Sequence, residues 1–222
     1  MKNKWSYTAL DDLVSSQIEV TRLSYDTHSQ EYAEVWEWND VAKQKTRKDY
    51  IEPFIKYTRK GGVVLVVGCG TGRDLKVLRE AGFRYLGVDS SKGMLAEAVS
   101  SRNVDGPVLC TDLESLDLAD CSFDGILIDS AIEHIRKSDV DDILEKLYKS
   151  LKKGGILLLR FRLGDGRVFE VEDVVGTRYF TSYKREESQK MVNSNGFEVI
   201  KDYHTKHLDD DRPGFHAYIL RK

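Results

Sequence analysis

Three glycines alternate in the run Gly68-Cys69-Gly70-Thr71-Gly72, directly behind the apolar stretch Val63–Val67. A buried strand ending in such a turn, with a helical pattern starting at about Arg73, lets backbone approach a ligand closely. It also aims helix N-terminal N–H groups at that ligand. The spacing is G-x-G-x-G. The dinucleotide fingerprint would be G-x-G-x-x-G, whose last position is Arg73 here, and the Gly-Lys-Ser/Thr of a P-loop is missing. Asp89 follows the next apolar run, Tyr85–Val88. A carboxylate at the end of a strand beside the first can accept hydrogen bonds from both hydroxyls of a ribose, or cap the helix that follows. Asp112, after Val108–Cys110, can accept from an adenine amino group or serve as a turn residue.

A second polar group follows the run Gly125–Ile128: Asp129-Ser130-Ala131-Ile132-Glu133-His134. Asp129, Glu133 and His134 are its members able to move protons. His134 alone titrates near neutrality when unperturbed, and it can equally be held by a backbone hydrogen bond. The long segment Arg162–Tyr183 carries Arg167, Phe169, Arg178, Tyr179, Phe180 and Tyr183. It reads as a substrate lid at the ligand edge of a sheet. With Val168, Val171, Val174 and Val175 it reads equally as a small packed unit.

These residues need elements to position them. Seven short apolar runs are strand candidates: Val63–Val67, Tyr85–Val88, Val108–Cys110, Gly125–Ile128, Ile156–Phe161, Phe197–Tyr203 and His216–Leu220. Several are continuous rather than alternating, as strands buried on both faces should be. Between them lie helical patterns, the clearest being Val140, Ile143, Leu144, Leu147 and Leu151, with Ser138 as its N-cap. Gly61-Gly62, Gly82, Gly154-Gly155 and Gly196 each follow a helical pattern and precede an apolar run, as helix-ending glycines do. This alternation predicts an α/β fold, a mostly parallel sheet with helices on both faces. The stretch Lys201–Gly214 has no helical stripe, so the last two strands are expected to form an antiparallel hairpin. Residues 1–60 are expected to form a helical cap, with Leu10, Leu13, Val14 and Ile18 on one loose face. Tyr25, Tyr32, Trp36 and Trp38 come next, and Pro53 breaks or kinks a third helix from about Val41 to Tyr57.

Composition narrows the function. The 222 residues hold 34 Lys+Arg against 37 Asp+Glu, a formal net charge of −3, which argues against a protein built mainly to grip nucleic acid. No apolar run approaches a membrane span, and the polar start Met1–Ser6 has no signal-peptide core behind it. Cys69, Cys110 and Cys121 show no C-x-x-C spacing, so neither a zinc site nor a disulfide framework is expected, and a cytoplasmic setting is the simplest expectation.

Taken in order, these motifs resemble the core of a class I S-adenosylmethionine-dependent methyltransferase of the small-molecule type. Gly68–Gly72 matches the family's first motif, Val88–Leu95 its second, and Asp112-Leu113 the adenine-contacting position. Phe123–Asp129 resembles the fourth-strand motif, Leu151–Leu159 the approach to the fifth strand, and Gly196–Val199 the start of the sixth. The resemblance implies a Rossmann-like seven-stranded sheet over residues 61–222, with a lid-like insertion at about 162–183 and the cap at 1–60. It implies S-adenosyl-L-methionine as cofactor, held by Gly68, Cys69, Gly70, Gly72, Asp89, Ser90, Met94, Asp112, Leu113 and Asp129, with Tyr25 or Tyr32 reaching its carboxylate end. His134, Asp129 and Glu133 are then the candidate catalytic residues, beside the methyl group. The acceptor is expected to be a small molecule taken at O, N or C, by a monomer or homodimer, with neither nucleic acid nor membrane as partner. Positioning and desolvation would supply most of the rate. Methylation of a tRNA nucleoside is the runner-up reading. A degenerate binding module is another, because Val66 stands where the family usually has Asp or Glu. The glycine spacing counts against a nicotinamide-binding oxidoreductase.

Overall fold

A computed structural model describes residues 6–8, 14–37, 47–205 and 214–222. Leu10, Leu13, Trp38 and residues 41–46 and 206–213 lie outside the described residues, as do the side chains of Val14 and Trp36.

The strands are β1 (Ser6–Thr8), β2 (Val63–Val67), β3 (Arg84–Asp89), β4 (Val108–Cys110), β5 (Phe123–Asp129), β6 (Leu151–Arg162), β7 (Val168–Asp173), β8 (Gly176–Thr181), β9 (Glu198–Thr205) and β10 (Phe215–Arg221). Seven of them form one sheet in the order β4-β3-β2-β5-β6-β10-β9. Strands β4 to β6 pair in parallel, and β10 runs antiparallel to both β6 and β9. The seven runs singled out in the sequence are these seven strands. Leu65 and Val67 enter one buried cluster while Val64 and Val66 enter the other, which is why the run is apolar at every position.

Helices cover both faces. Those of the core are α3 (Glu52–Tyr57), α4 (Arg73–Glu80), α5 (Lys92–Ser100), α6 (Val140–Ser150) and α7 (Arg185–Ser194). Phe54, Leu75, Leu78, Leu95 and Ala98 share one cluster; Ile143, Leu144, Leu147, Met191 and Val192 share the other. The chain runs outward through β2, β3 and β4, then returns to place β5 on the other side of β2. The carboxyl ends of β2 and β5 therefore flank a switch point, where open α/β sheets bind ligands.

Three expectations of detail change. Ser138 does not cap α6: it lies in a 3₁₀ turn, its hydroxyl donates to Asp139 Oδ1 at 2.7 Å, and the cap position is Asp139. Gly154-Gly155 do not end a helix either. α6 stops at Ser150, and the β5–β6 pairing jumps from Phe123↔Leu151 to Gly125↔Ile156, so the pair sits in a bulge where Gly154 has φ +75°. The N-terminal cap is helical over α1 (Val14–Thr27) and α2 (Ser29–Tyr32), but it also contributes a strand. β1 pairs with β7, and β7 with β8, in a separate antiparallel three-stranded sheet. The segment 162–183 is thus a β-hairpin packed on its own Phe169, Val171 and Phe180. Pro53 falls in the first turn of α3, just after a π-helical turn over Arg47–Ile51, where its missing N–H costs nothing.

α1 is held from two sides. Ser24 Oγ donates to the Thr177 carbonyl at 2.6 Å, and the Tyr179 N–H donates to Thr21 Oγ1 at 2.9 Å, joining helix to hairpin. On the core side, Asp26 Oδ1 accepts from Ser91 Oγ at 2.7 Å and from the Gly93 N–H at 3.0 Å. The approach is so close that a Cβ on Gly93 would stand 2.2 Å from the Asp26 carbonyl oxygen. Gly93→Ala is therefore expected to cost about 1–3 kcal/mol of stability, as overpacking does. Thermal unfolding of the variant checks this, and an unchanged midpoint would mean that α1 does not dock as described.

Candidate functional site

A cavity of about 460 Å³ opens at the carboxyl ends of β2, β3 and β5, roofed by α1, α2 and the hairpin. Its volume is that of a small-ligand site. Of the residues singled out in the sequence, Gly68, Gly70, Asp89, Ser90, Met94, Asp112, Leu113, Asp129, Glu133, His134, Tyr25 and Tyr32 all line it. Cys69 and Gly72 do not. The Cys69 side chain is buried in the core and its thiol is pushed up by burial. Gly72 caps α4 with φ +83° and packs on Val104 and Ala98.

The glycine loop is shaped from outside the loop itself. Asp89 Oδ2 accepts the Gly70 N–H at 2.8 Å, and Oδ1 accepts the Ser91 N–H at 2.9 Å. One carboxylate thus ties the loop after β2 to the entry of α5. The N-cap of α5 is Ser91, whose hydroxyl accepts from the Met94 N–H, and not Asp89. Gly70 has φ +52°, and nothing of the protein lies within 4 Å of where its Cβ would stand. The backbone there is open for a ligand to approach, which is the fit a cofactor with a bulky centre requires. At the far end, Lys146 Nζ donates to the carbonyls of Leu113, Glu114 and Leu116 at 3.3, 2.9 and 3.0 Å. It fixes the turn that carries Asp112 and Leu113.

Val66, where the family usually has a carboxylate, is 1% exposed and belongs to the core. The carboxylates that end β3 and β5 at this edge are Asp89 and Asp129. Asp129 is bracketed by two guanidinium groups: Arg73 Nη2 donates to its Oδ2 at 2.8 Å, and Arg160 Nη1 to its Oδ1. Their charges hold its carboxyl well below the ordinary range against the cost of burial. Ser130, next in the chain, has φ +61° without being glycine, and its N–H donates to the Arg160 carbonyl at 3.0 Å. Such a strained turn is tolerated where neighbours over-determine it.

Glu133 and His134 exchange the roles expected from their ordinary chemistry. Glu133 is 1% exposed and accepts from the Arg162 N–H at 2.9 Å and from Arg162 Nε at 3.2 Å. Burial outweighs the arginines and pushes its carboxyl up to about 7. His134 Nδ1 lies 2.8 Å from the Tyr179 carbonyl oxygen, which can only accept, so Nδ1 carries the proton. Nε2 then accepts from the Tyr25 hydroxyl at 3.1 Å. Burial lowers His134 to about 4, so the ring is neutral at physiological pH and both nitrogens are engaged. The group that titrates near neutrality is Glu133, not His134. The hydrogen bond to backbone, which the sequence left open for His134, is present.

Sequence reasoning missed Arg73, Arg160, Arg162 and Phe215, all of which line the cavity. Arg73 was read only as the missing glycine of another fingerprint. Arg160 and Arg162 are two apart at the carboxyl end of β6, and polar residues spaced so at the end of an otherwise buried strand were the available signal. Among the described residues no group of His, Cys, Asp and Glu is placed to hold a metal ion. Among them, no helix is long and apolar enough to cross a membrane.

A family model described as a methyltransferase domain matches residues 65–159. Among curated relatives, an 18S rRNA (guanine-N(7))-methyltransferase of Schizosaccharomyces pombe is 27% identical over 44% of this chain and 40% of its own length. A malonyl-[acyl-carrier protein] O-methyltransferase of Yersinia pestis is 32% identical over 55% of this chain and 46% of its own. The chain thus spans about half or less of the length of these relatives. Among solved structures, the 1,6-didemethyltoxoflavin-N1-methyltransferase of Burkholderia thailandensis, with 1,6-didemethyltoxoflavin and S-adenosylhomocysteine bound, superposes with a TM-score of 0.72. It is 16% identical and covers 100% of this chain and 96% of its own, a likeness of fold.

Proposed function

Because the chain carries a methyltransferase domain of the class I S-adenosylmethionine-dependent family, we propose that its cavity binds S-adenosyl-L-methionine and transfers the methyl group to a small molecule. The observation that carries the reading is the Asp89 carboxylate, which bonds Gly70 and Ser91 beside an open glycine loop at the switch point of the sheet. S-adenosylmethionine supplies a methyl group already activated on a sulfonium. Asp89 would accept from the ribose hydroxyls, Asp112 and Leu113 would flank the adenine, and Asp129 would face the ammonium in place of the carboxylate missing at Val66. Tyr25 and Tyr32, whose rings meet edge to face at 5.7 Å, close the roof. Glu133 takes up the proton that an acceptor O–H or N–H gives up, since a carboxyl near 7 is matched to that task. His134 and Tyr25 position the acceptor through a fixed neutral hydrogen-bond pair.

The relatives are named for 18S rRNA and for malonyl-[acyl-carrier protein], so charge balance alone does not set nucleic acid aside. Confinement favours the small molecule. The side chains of Arg178, Arg160 and Arg162 are only 4, 14 and 17% exposed, so a nucleic-acid backbone would find few charges to meet. Titration calorimetry with S-adenosylmethionine and S-adenosylhomocysteine tests the reading. Both are expected to bind in the micromolar range, and absence of heat at millimolar ligand would end it. RNA binding that falls steeply with salt would move the reading to the RNA acceptor.

A further inference from the structure

The half of the cavity beneath the hairpin is rich in arginine. Arg160, Arg162 and Arg178 line it, each paired with one carboxylate. Arg160 Nη1 is shared between Asp129 and Ser130 Oγ, the latter at 3.0 Å. Arg162 Nε donates to Glu133 Oε1 at 3.2 Å, and Arg178 Nη2 to Asp173 Oδ2 at 2.5 Å. A guanidinium has five donors in one plane, and these pairs occupy one edge of it. Among the described residues, Nη2 of Arg160 and both Nη groups of Arg162 make no hydrogen bond.

Aromatic rings lie against two of the forks. The Arg160 Cζ lies 3.7 Å from the centre of the Phe215 ring, and that of Arg162 lies 4.5 Å from Phe180 and 4.9 Å from Phe215. Stacking fixes the plane of a guanidinium and leaves its in-plane N–H groups available, the arrangement suited to bidentate carboxylate recognition. The charges are balanced in detail. Arg73 is matched by Asp74, leaving three arginines against Asp129, Glu133 and Asp173.

We propose that the methyl acceptor carries a carboxylate, held by the open edges of Arg160 and Arg162, with its apolar body against Tyr25, Phe180 and Phe215. The inference rests on the reading of the glycine-loop end as the cofactor site only in assigning this other half to the acceptor. A phosphate shares the chemistry, so the test separates the two.

The test is calorimetry on the full chain, with and without saturating S-adenosylhomocysteine. The probes are three acid–amide pairs: benzoate and benzamide, cinnamate and cinnamamide, indole-3-acetate and indole-3-acetamide. Phenyl phosphate and bulk transfer RNA complete the set. At least one acid is expected to bind about tenfold or more tightly than its amide, the loss expected for a charged hydrogen bond. Arg162→Gln and Arg160→Gln should each abolish that preference. The wild-type comparison does not depend on either variant folding. No acid preferred over its amide in any pair, a preference that survives both substitutions, or tighter binding of phenyl phosphate or transfer RNA would each overturn the proposal. Failure of S-adenosylhomocysteine itself to bind would count against the cofactor reading, while the acid preference measured without it still reports on the arginines.

Discussion

Asp89→Ala is expected to weaken S-adenosylhomocysteine binding by about 100-fold or more, since each charged hydrogen bond lost to a ribose hydroxyl is worth roughly 1.5–3 kcal/mol. It is also expected to lower stability. Asp89 satisfies the N–H groups of Gly70 and Ser91, and each donor left without a partner costs about 1–3 kcal/mol. Asp89→Asn keeps a carbonyl oxygen for one of those donors and should recover much of the stability while remaining weak in binding. Calorimetry and thermal unfolding of the two variants separate the effects. Equal affinity in wild type and Asp89→Ala would place the ribose elsewhere.

The second large effect is the pH dependence of stability set by Glu133. Its carboxyl rises from an ordinary value of 4.5 to about 7 in the folded chain, so the native state binds a proton that the unfolded state has lost. Stability therefore falls as pH rises through that window. Relative to Glu133→Gln, the wild type should lose ~2–3 kcal/mol between pH 5 and pH 8, at no more than ~1.4 kcal/mol per pH unit. His134 acts with the opposite sign: lowered from 6.5 to about 4, it costs stability as pH falls through that range. Denaturant unfolding of both proteins at pH 5 to 8 reads the difference, in which the His134 contribution cancels. A wild type that gains stability over Glu133→Gln as pH rises would show that the Arg162 pairing outweighs burial.

Where sequence and structure agree, the signal was local. The run Val63–Val67 needs only its own residues to announce a strand buried on both faces, and the glycine spacing needs only the loop. Asp89 was legible because it ends a strand that must lie beside β2. The hairpin is not legible in the residue types: Val168–Asp173 and Gly176–Thr181 break strict apolar–polar alternation, although burial alternates at Phe169 and Val171 and Gly176 turns at φ +82°. Val171 packs on Phe169 and Phe180 of its own segment, but the helix that β8 docks against, α1, lies about 150 residues away in the chain. Titration was the least legible property. Glu133 and His134 are adjacent in sequence, and only the Arg162 and Tyr179 contacts, with the depth of burial, decide which of them holds a proton at pH 7.

The pairing of Ser6–Thr8 with Val168–Glu170 joins segments about 160 residues apart across the roof. Closing so long a loop has an entropic cost that the early α/β pairings of the core do not bear. A nascent chain can complete β2, β3 and β5 long before residue 181 leaves the ribosome. The roof therefore closes after the parallel strands beneath it have paired. For the same reason it is the part that native-state hydrogen exchange should find opening first, with the glycine loop still in place beneath it.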